Sequence, residues 1–224
     1  MIQRVALELF RREGIARSAA TVITQVLVNE GDPGMVHPAK PIGPFYDAAE
    51  AVGIRHEKPH WELHEIEPGL WRRVVASPRP LRILEETAIR ALLDAGVVTI
   101  ACGGGGIPVA WEDGRLVGVE GVIDKDWASS LLARDLHADR LIIVTSVDRV
   151  ALHYSSATPC WLDVLTLKQA RQYLAAGEFP AGSMGPKIEA GIEFVAQSGK
   201  ECIITSTAQA ARALRGEAGT HIVA

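Results

Sequence analysis

The sequence predicts an α/β fold with a mainly parallel sheet covered by helices on both faces. Continuous apolar runs of strand length stand at 97–102, 141–145 and 202–205, helical periodicity fills the intervals, and turn residues mark the joints. A chain of 224 residues is long enough for one sizeable domain, or a domain with a small appendage, and can bury a substantial core.

The elements follow in order. Val5, Leu7, Leu9 and Phe10 lie among Arg4, Glu8, Arg11, Arg12 and Glu13, which predicts an amphipathic helix stopping near Gly14. The β-branched run Thr21–Val28 predicts a strand. From 29 to 80 the regular periods lapse and eight of the 12 prolines gather. The same stretch holds Phe45, Tyr46, Trp61 and Trp71, which a disordered linker lacks, so it is expected to form a compact small subdomain. Glu85–Ala95 has helical spacing and ends at Gly96; Val97–Cys102 is expected as a buried strand running into Gly103–Gly106. Val109–Val119 predicts a hairpin turned by Asp113 and Gly114, and Asp126 is expected to cap a helix reaching about His137. Leu141–Thr145 is a further strand. Helices are expected over 167–176, 187–198 and 208–214, with strand 202–205 between the last two.

Composition excludes several classes. Carboxylates outnumber Lys plus Arg by 27 to 23, a net charge of −4, which argues against a general nucleic-acid binder. No apolar run approaches the roughly 20 residues that span a bilayer, and Met1–Ala6 lacks the apolar core of a signal peptide. Cys102, Cys160 and Cys202 are far apart and odd in number, as suits reduced thiols and a cytoplasmic location.

Four segments could carry chemistry. Gly103-Gly104-Gly105-Gly106 follows a strand, at the sheet end where open α/β folds bind ligands, and bare backbone there can approach an anion; it matches neither GxxxxGK[ST] nor GxGxxG. Asp124-Lys125-Asp126 opens a helix, and reads either as a cation held for phosphate oxygens or as a capped helix with a solvated charge cluster. In Gly182-Ser183-Met184-Gly185-Pro186-Lys187 a lysine stands near the positive end of a helix, a poor place for a cation unless an anion is also bound. Pro38-Ala39-Lys40-Pro41 presents one lysine on a rigid loop, which alone reads as surface. His56, His60 and His64 would place His60 and His64 on one helical face, but the HExxH order is missing, so no metal is expected. Ser155 and Ser156 beside His153 lack a GxSxG elbow. Separated lysines, a glycine turn and organising aspartates suit phosphoryl transfer, in which cations and positioning supply most of the catalysis.

Five blocks together resemble the carbamate kinases of the amino acid kinase superfamily: Lys40-Pro41-Ile42-Gly43-Pro44-Phe45, Trp71-Arg72-Arg73-Val74-Val75 through Ser77-Pro78, Cys102–Pro108, Val122-Ile123-Asp124-Lys125-Asp126, and Gly182-Ser183-Met184 with Pro186-Lys187-Ile188-Glu189-Ala190. The resemblance implies a three-layer αβα sandwich with a protruding subdomain at about 29–80, a homodimer, and reversible phosphoryl transfer between ATP and carbamate giving ADP and carbamoyl phosphate, often run toward ATP in arginine metabolism. It implies that Lys125 and Lys187 contact the phosphates, that Asp126 orients them, and that Lys40 reaches over the acceptor. Gly103, Gly104, Gly105 and Asp124 then bind substrate or phosphate. Thr145, Ser146, Val147, Asp148 and Met184 bind the nucleotide, with Mg²⁺ carried on ATP or ADP. Ser146 stands where the family usually has glycine, and Ala76 where it has proline. The family's opening strand, its Gly-Gly-Asn loop and its His-Gly-Asn-Gly segment have no counterpart. The expectation that follows is a truncated chain, weak or inactive unless a partner supplies that part. The rival reading is accordingly a kinase-like subunit that binds nucleotide or a partner chain without turnover. Another amino acid kinase, acting on a carboxylate or a nucleotide, is argued against by the Lys40 segment.

Overall fold

The computed structural model describes residues 1–180 and 182–224. Helix α1 (Ile2–Arg12) leads to β1 (Ala19–Thr21), β2 (Gln25–Leu27) and the short turn α2 (Pro33–Val36). Strand β3 (Lys40–Tyr46), helix α3 (Ala48–Glu57) and strands β4 (Glu62–Glu67) and β5 (Leu70–Val75) follow. Then come β6 (Arg82–Ile83), α4 (Glu86–Asp94), β7 (Val98–Ile100), β8 (Ile107–Glu112), β9 (Arg115–Gly118) and α5 (Lys125–Asp135). The last part holds β10 (Arg140–Thr145), β11 (Val150–Leu152), β12 (Cys160–Leu162), β13 (Val164–Thr166), α6 (Leu167–Ala175), α7 (Met184–Ser198), β14 (Glu201–Ser206), α8 (Ala210–Ala213) and β15 (Thr220–Val223).

The α/β class is as the sequence predicts, but the sheets are mixed. One has the order β10-β14-β15-β13, with β10–β14 and β13–β15 parallel and β14–β15 antiparallel. Another has the order β6-β2-β8-β9, with only β2–β8 parallel. Each carries its own core. Ile143, Leu165, Ile188, Phe194, Ile204 and Ile222 are buried in the first; Val26, Ile83, Ile89, Ile123 and Leu131 are buried in the second. Residues 40–75 form an antiparallel sheet, β3-β5-β4, against which α3 packs, so this proline-rich stretch is built of regular elements. Helix α3 carries a full capping box between Asp47 and Glu50.

Several expectations are corrected. The strand foreseen over 21–28 is two short strands, because the Thr24 hydroxyl donates to its own Val22 carbonyl (3.0 Å) and accepts from the Cys102 N–H (2.9 Å). The kink lets β1 pair with β7 and β2 with β8, on either side of the glycine turn. Strand β7 is shorter than foreseen and only half-buried, since it pairs with β1 alone. Asp124, not Asp126, caps α5, taking the Asp126 N–H on its side chain. Helix α7 begins three residues earlier than its apolar period, at Met184. Strands β11, β12, β13 and β15 were not foreseen, being only three or four residues long. His56 lies on α3, His60 in a turn and His64 on β4, so His60 and His64 share no helical face.

The glycine turn is a single 3₁₀ turn, Gly103–Gly105, entered through Cys102 in the left-handed region. Gly105 has φ +107°, and a Cβ there would lie 2.1 Å from the Ile123 carbonyl oxygen; around Gly104 (φ +68°) there is open space. Gly104→Ala is therefore expected to cost about 1–2 kcal/mol from backbone strain alone. Gly105→Ala should cost clearly more, about 3 kcal/mol or above, because strain and steric overlap add. Urea unfolding of the two variants beside the parent chain measures the difference.

Candidate functional site

Two helix starts open on one cavity of about 250 Å³. Its walls include Asp124, Lys125 and Asp126 at the head of α5, and Gly182, Ser183, Met184, Pro186 and Lys187 at the head of α7. Strand β10 ends into it with Thr145, Ser146 and Val147, and Lys40 reaches it from the start of β3. Among the described residues no side chain caps α7, so the positive end of that helix is left for something else. Helix α5 presents its first turn beside it.

The carboxylates organise the lysines. Asp124 is 2% exposed; one oxygen accepts the Asp126 N–H at 2.8 Å and the other takes the Lys40 ammonium. Asp126 is also buried, and its Oδ2 accepts from Lys187 Nζ at 2.8 Å while Lys125 Nζ stands 3.9 Å away. Lys187 is itself nearly buried, whereas Lys125 is largely exposed to the cavity. A buried carboxylate is costly unless paired. Here each has a lysine from a distant part of the chain, 84 residues away for Asp124 and 61 for Asp126. The awkward lysine near the start of α7 is thereby explained. Asp126 compensates it against the helix end, and one ammonium face remains for an anion.

The structure brings together Lys40, Asp124, Lys125, Asp126, Thr145, Ser146, Val147, Met184 and Lys187. It does not bring Asp148 or the glycines to that cavity. Asp148 lines a separate hollow with Arg149, Asp163, Gln209, Arg212 and Glu217, although Arg149 and Ala151 beyond it line the cavity. Gly103, Gly104 and Gly105 are not among that cavity's lining residues: Gly105 packs against the Ile123 carbonyl, while Gly103 and Gly104 are exposed. Sequence reasoning missed Arg149, Ala151, Tyr154, Glu178, Phe179 and Pro180, which complete the wall. None belongs to a motif, though the Phe179-Pro180 pair just ahead of the small-residue turn was a usable signal.

Electrostatics favour an ionised Asp124. Burial would raise its carboxyl, but hydrogen bonds from Lys40 and the Asp126 N–H, with the charges of Lys40 and Lys125, bring it below its ordinary value of 3.8. A depressed carboxyl contributes stability that is fully present above pH 3.8 and is lost as pH falls through the depressed value. Asp124→Asn should therefore be less stable than the parent chain near neutrality, by about 1–3 kcal/mol, with the gap closing in strong acid. Melting temperature against pH for both proteins checks the sign; a gap that widens on acidification would refute it.

The chain is similar to known proteins along nearly its whole length. The amino acid kinase family profile matches residues 12–206. The chain is 42% identical over 222 residues to the carbamate kinase of Pyrococcus horikoshii, covering 99% of itself and 70% of that protein. It is 45% identical over 224 residues to the carbamate kinase-like protein YahI of Escherichia coli K12, covering 71% of it. Among solved structures it is similar to the carbamate kinase of Giardia lamblia bound to AMP-PNP, with a TM-score of 0.85 and 39% identity, covering 99% of this chain and 70% of that one. The chain thus spans about 70% of the length of these relatives. The chain belongs to the amino acid kinase family, and within it to the carbamate kinases.

Proposed function

We propose that this chain transfers a phosphoryl group between ATP and carbamate, in either direction. The observation that carries the reading is the convergence of Lys40, Lys125 and Lys187 on Asp124 and Asp126 at one cavity, in a chain 42% identical along its length to a carbamate kinase. Toward ATP, a β-phosphate oxygen of ADP attacks the phosphorus of carbamoyl phosphate. The bond from phosphorus to the carbamoyl oxygen breaks, and carbamate leaves with that electron pair. Charge in such a transition state is spread over three equatorial oxygens, so fixed cations do most of the work. Lys125 and Lys187 supply charge to the phosphates, Asp126 holds Lys187 in place, and Asp124 holds Lys40 over the acceptor. Thr145, Ser146, Val147 and Met184 receive the nucleoside.

Magnesium fits this site as a passenger on the nucleotide. Asp124 and Asp126 are already engaged by lysines, and among the described residues no three His, Cys, Asp or Glu side chains gather as a metal cage. The reading also takes in a cytoplasmic homodimer serving arginine metabolism. The resemblance supports the dimer and the pathway; three unpaired cysteines, and no helix long and apolar enough to cross a membrane among the described residues, support the compartment.

The test is ATP formation from carbamoyl phosphate and MgADP by the 224-residue chain. Turnover is expected to be weak, and Lys125→Ala and Lys187→Ala should each lower it further, by about 10²–10³-fold. A folded chain that binds MgADP without turnover would favour the nucleotide-binding subunit instead.

A further inference from the structure

Arg79 is not among the residues lining the lysine cavity, yet three parts of the molecule meet on it. Its guanidinium carbon lies 3.6 Å from the ring centroid of Trp127 on α5. Its Nη2 donates to Glu189 Oε2 on α7 at 2.7 Å, and Nη1 stands 3.6 Å from Glu193 Oε1. Trp127 is the residue after Asp126, and Glu189 is two beyond Lys187. One side chain therefore grips the two helical turns that carry the Asp126–Lys187 pair.

The backbone of Arg79 belongs to the base of the 40–75 unit. Asp32 joins the two segments of that base, accepting from the Gly34 N–H at 2.7 Å and the Arg79 N–H at 3.4 Å. The Ser77 N–H donates to the Gly34 carbonyl at 2.9 Å, and a Cβ on Gly34 would lie 2.3 Å from Ser77 O, so the segments are in direct contact. Lys40 pairs in register with Val75, four residues before Arg79. Helices α5 and α7 need no help from Arg79 to stay together. Ser130 Oγ donates to the Ala190 carbonyl at 2.9 Å, and Arg134 donates to Gln197 at 2.6 Å. What Arg79 adds is the joint between those helices and the base from which Lys40 projects.

We propose that Arg79 is a positioning residue that sets Lys40 relative to the Asp126–Lys187 pair by clamping the base of the 40–75 unit to α5 and α7. The proposal rests on the phosphoryl-transfer reading for its kinetic consequence, but not for its structural one. A planar fork that stacks on an indole while bonding a carboxylate is not reproduced by a lysine.

The experiment compares Arg79→Ala and Arg79→Lys, alone and combined with Lys40→Ala, in ATP formation from carbamoyl phosphate and MgADP. Arg79→Ala should lower kcat by about 10–100-fold, as small misplacements do, with KM for MgADP changed less than about twofold. Arg79→Lys should recover little of that loss. In the Lys40→Ala background, Arg79→Ala should cost less than about a further twofold, because both act on one step. Hydrogen exchange gives a readout free of turnover. Amides of β3 should exchange faster in Arg79→Ala, and more mildly in Arg79→Lys, while those of α5 and α7 do not change. Equal losses with and without Lys40, or unchanged β3 exchange, would overturn the proposal. If the parent chain makes no ATP, the activity reading fails and the exchange result alone decides the clamp.

Discussion

Two buried carboxylates at the head of one helix set the terms for the rest of this molecule. Asp124 and Asp126 are withdrawn from water, where a carboxylate is costly unless a cation is paired with it. The cations come from β3 and from α7, so the pairs hold three distant stretches of chain at one place. The same arrangement leaves ammonium groups facing a cavity with two helix starts, a setting that favours a polyanion.

The parts around that helix head also fix its backbone. The glycine turn lies against Ile123, the residue before the Asp124 cap, and works by allowing close backbone approach. The kink at Thr24 serves the same end, since its hydroxyl binds the Cys102 N–H that opens the turn. The glycines of this turn, at the carboxyl end of a strand, are not among the residues that line the cavity.

Much of the fold was legible because its signals are local. Continuous apolar strands, the Asp113-Gly114 turn with φ +47° and +75°, and glycines ending α1 and α4 all follow from φ/ψ preference and periodicity. The short strands at 150–166 and 220–223 escaped because three or four residues carry no period, and their pairing is set by partners across the sheet. The split of the strand at 22–24 escaped for a similar reason: Thr24 is β-prone, and its hydroxyl bonds to Val22 and Cys102 are not legible from residue type. Residue type alone suits either Asp124 or Asp126 as the cap, and it is Asp124 that sits where the first free N–H groups point.

The sequence by itself determined the α/β class, the three lysines and two aspartates, and, through five motif blocks in order, the family. These rest on residue type and spacing along the chain. Only the tertiary structure decided which carboxylate serves which lysine, that Gly105 packs against Ile123, that Asp148 lines a separate hollow, and that Arg79 bridges Trp127 and Glu189. Such pairings join residues 48 to 110 positions apart. Their partners are chosen by burial and by the distance between elements in the packed fold, which no local pattern in the chain records.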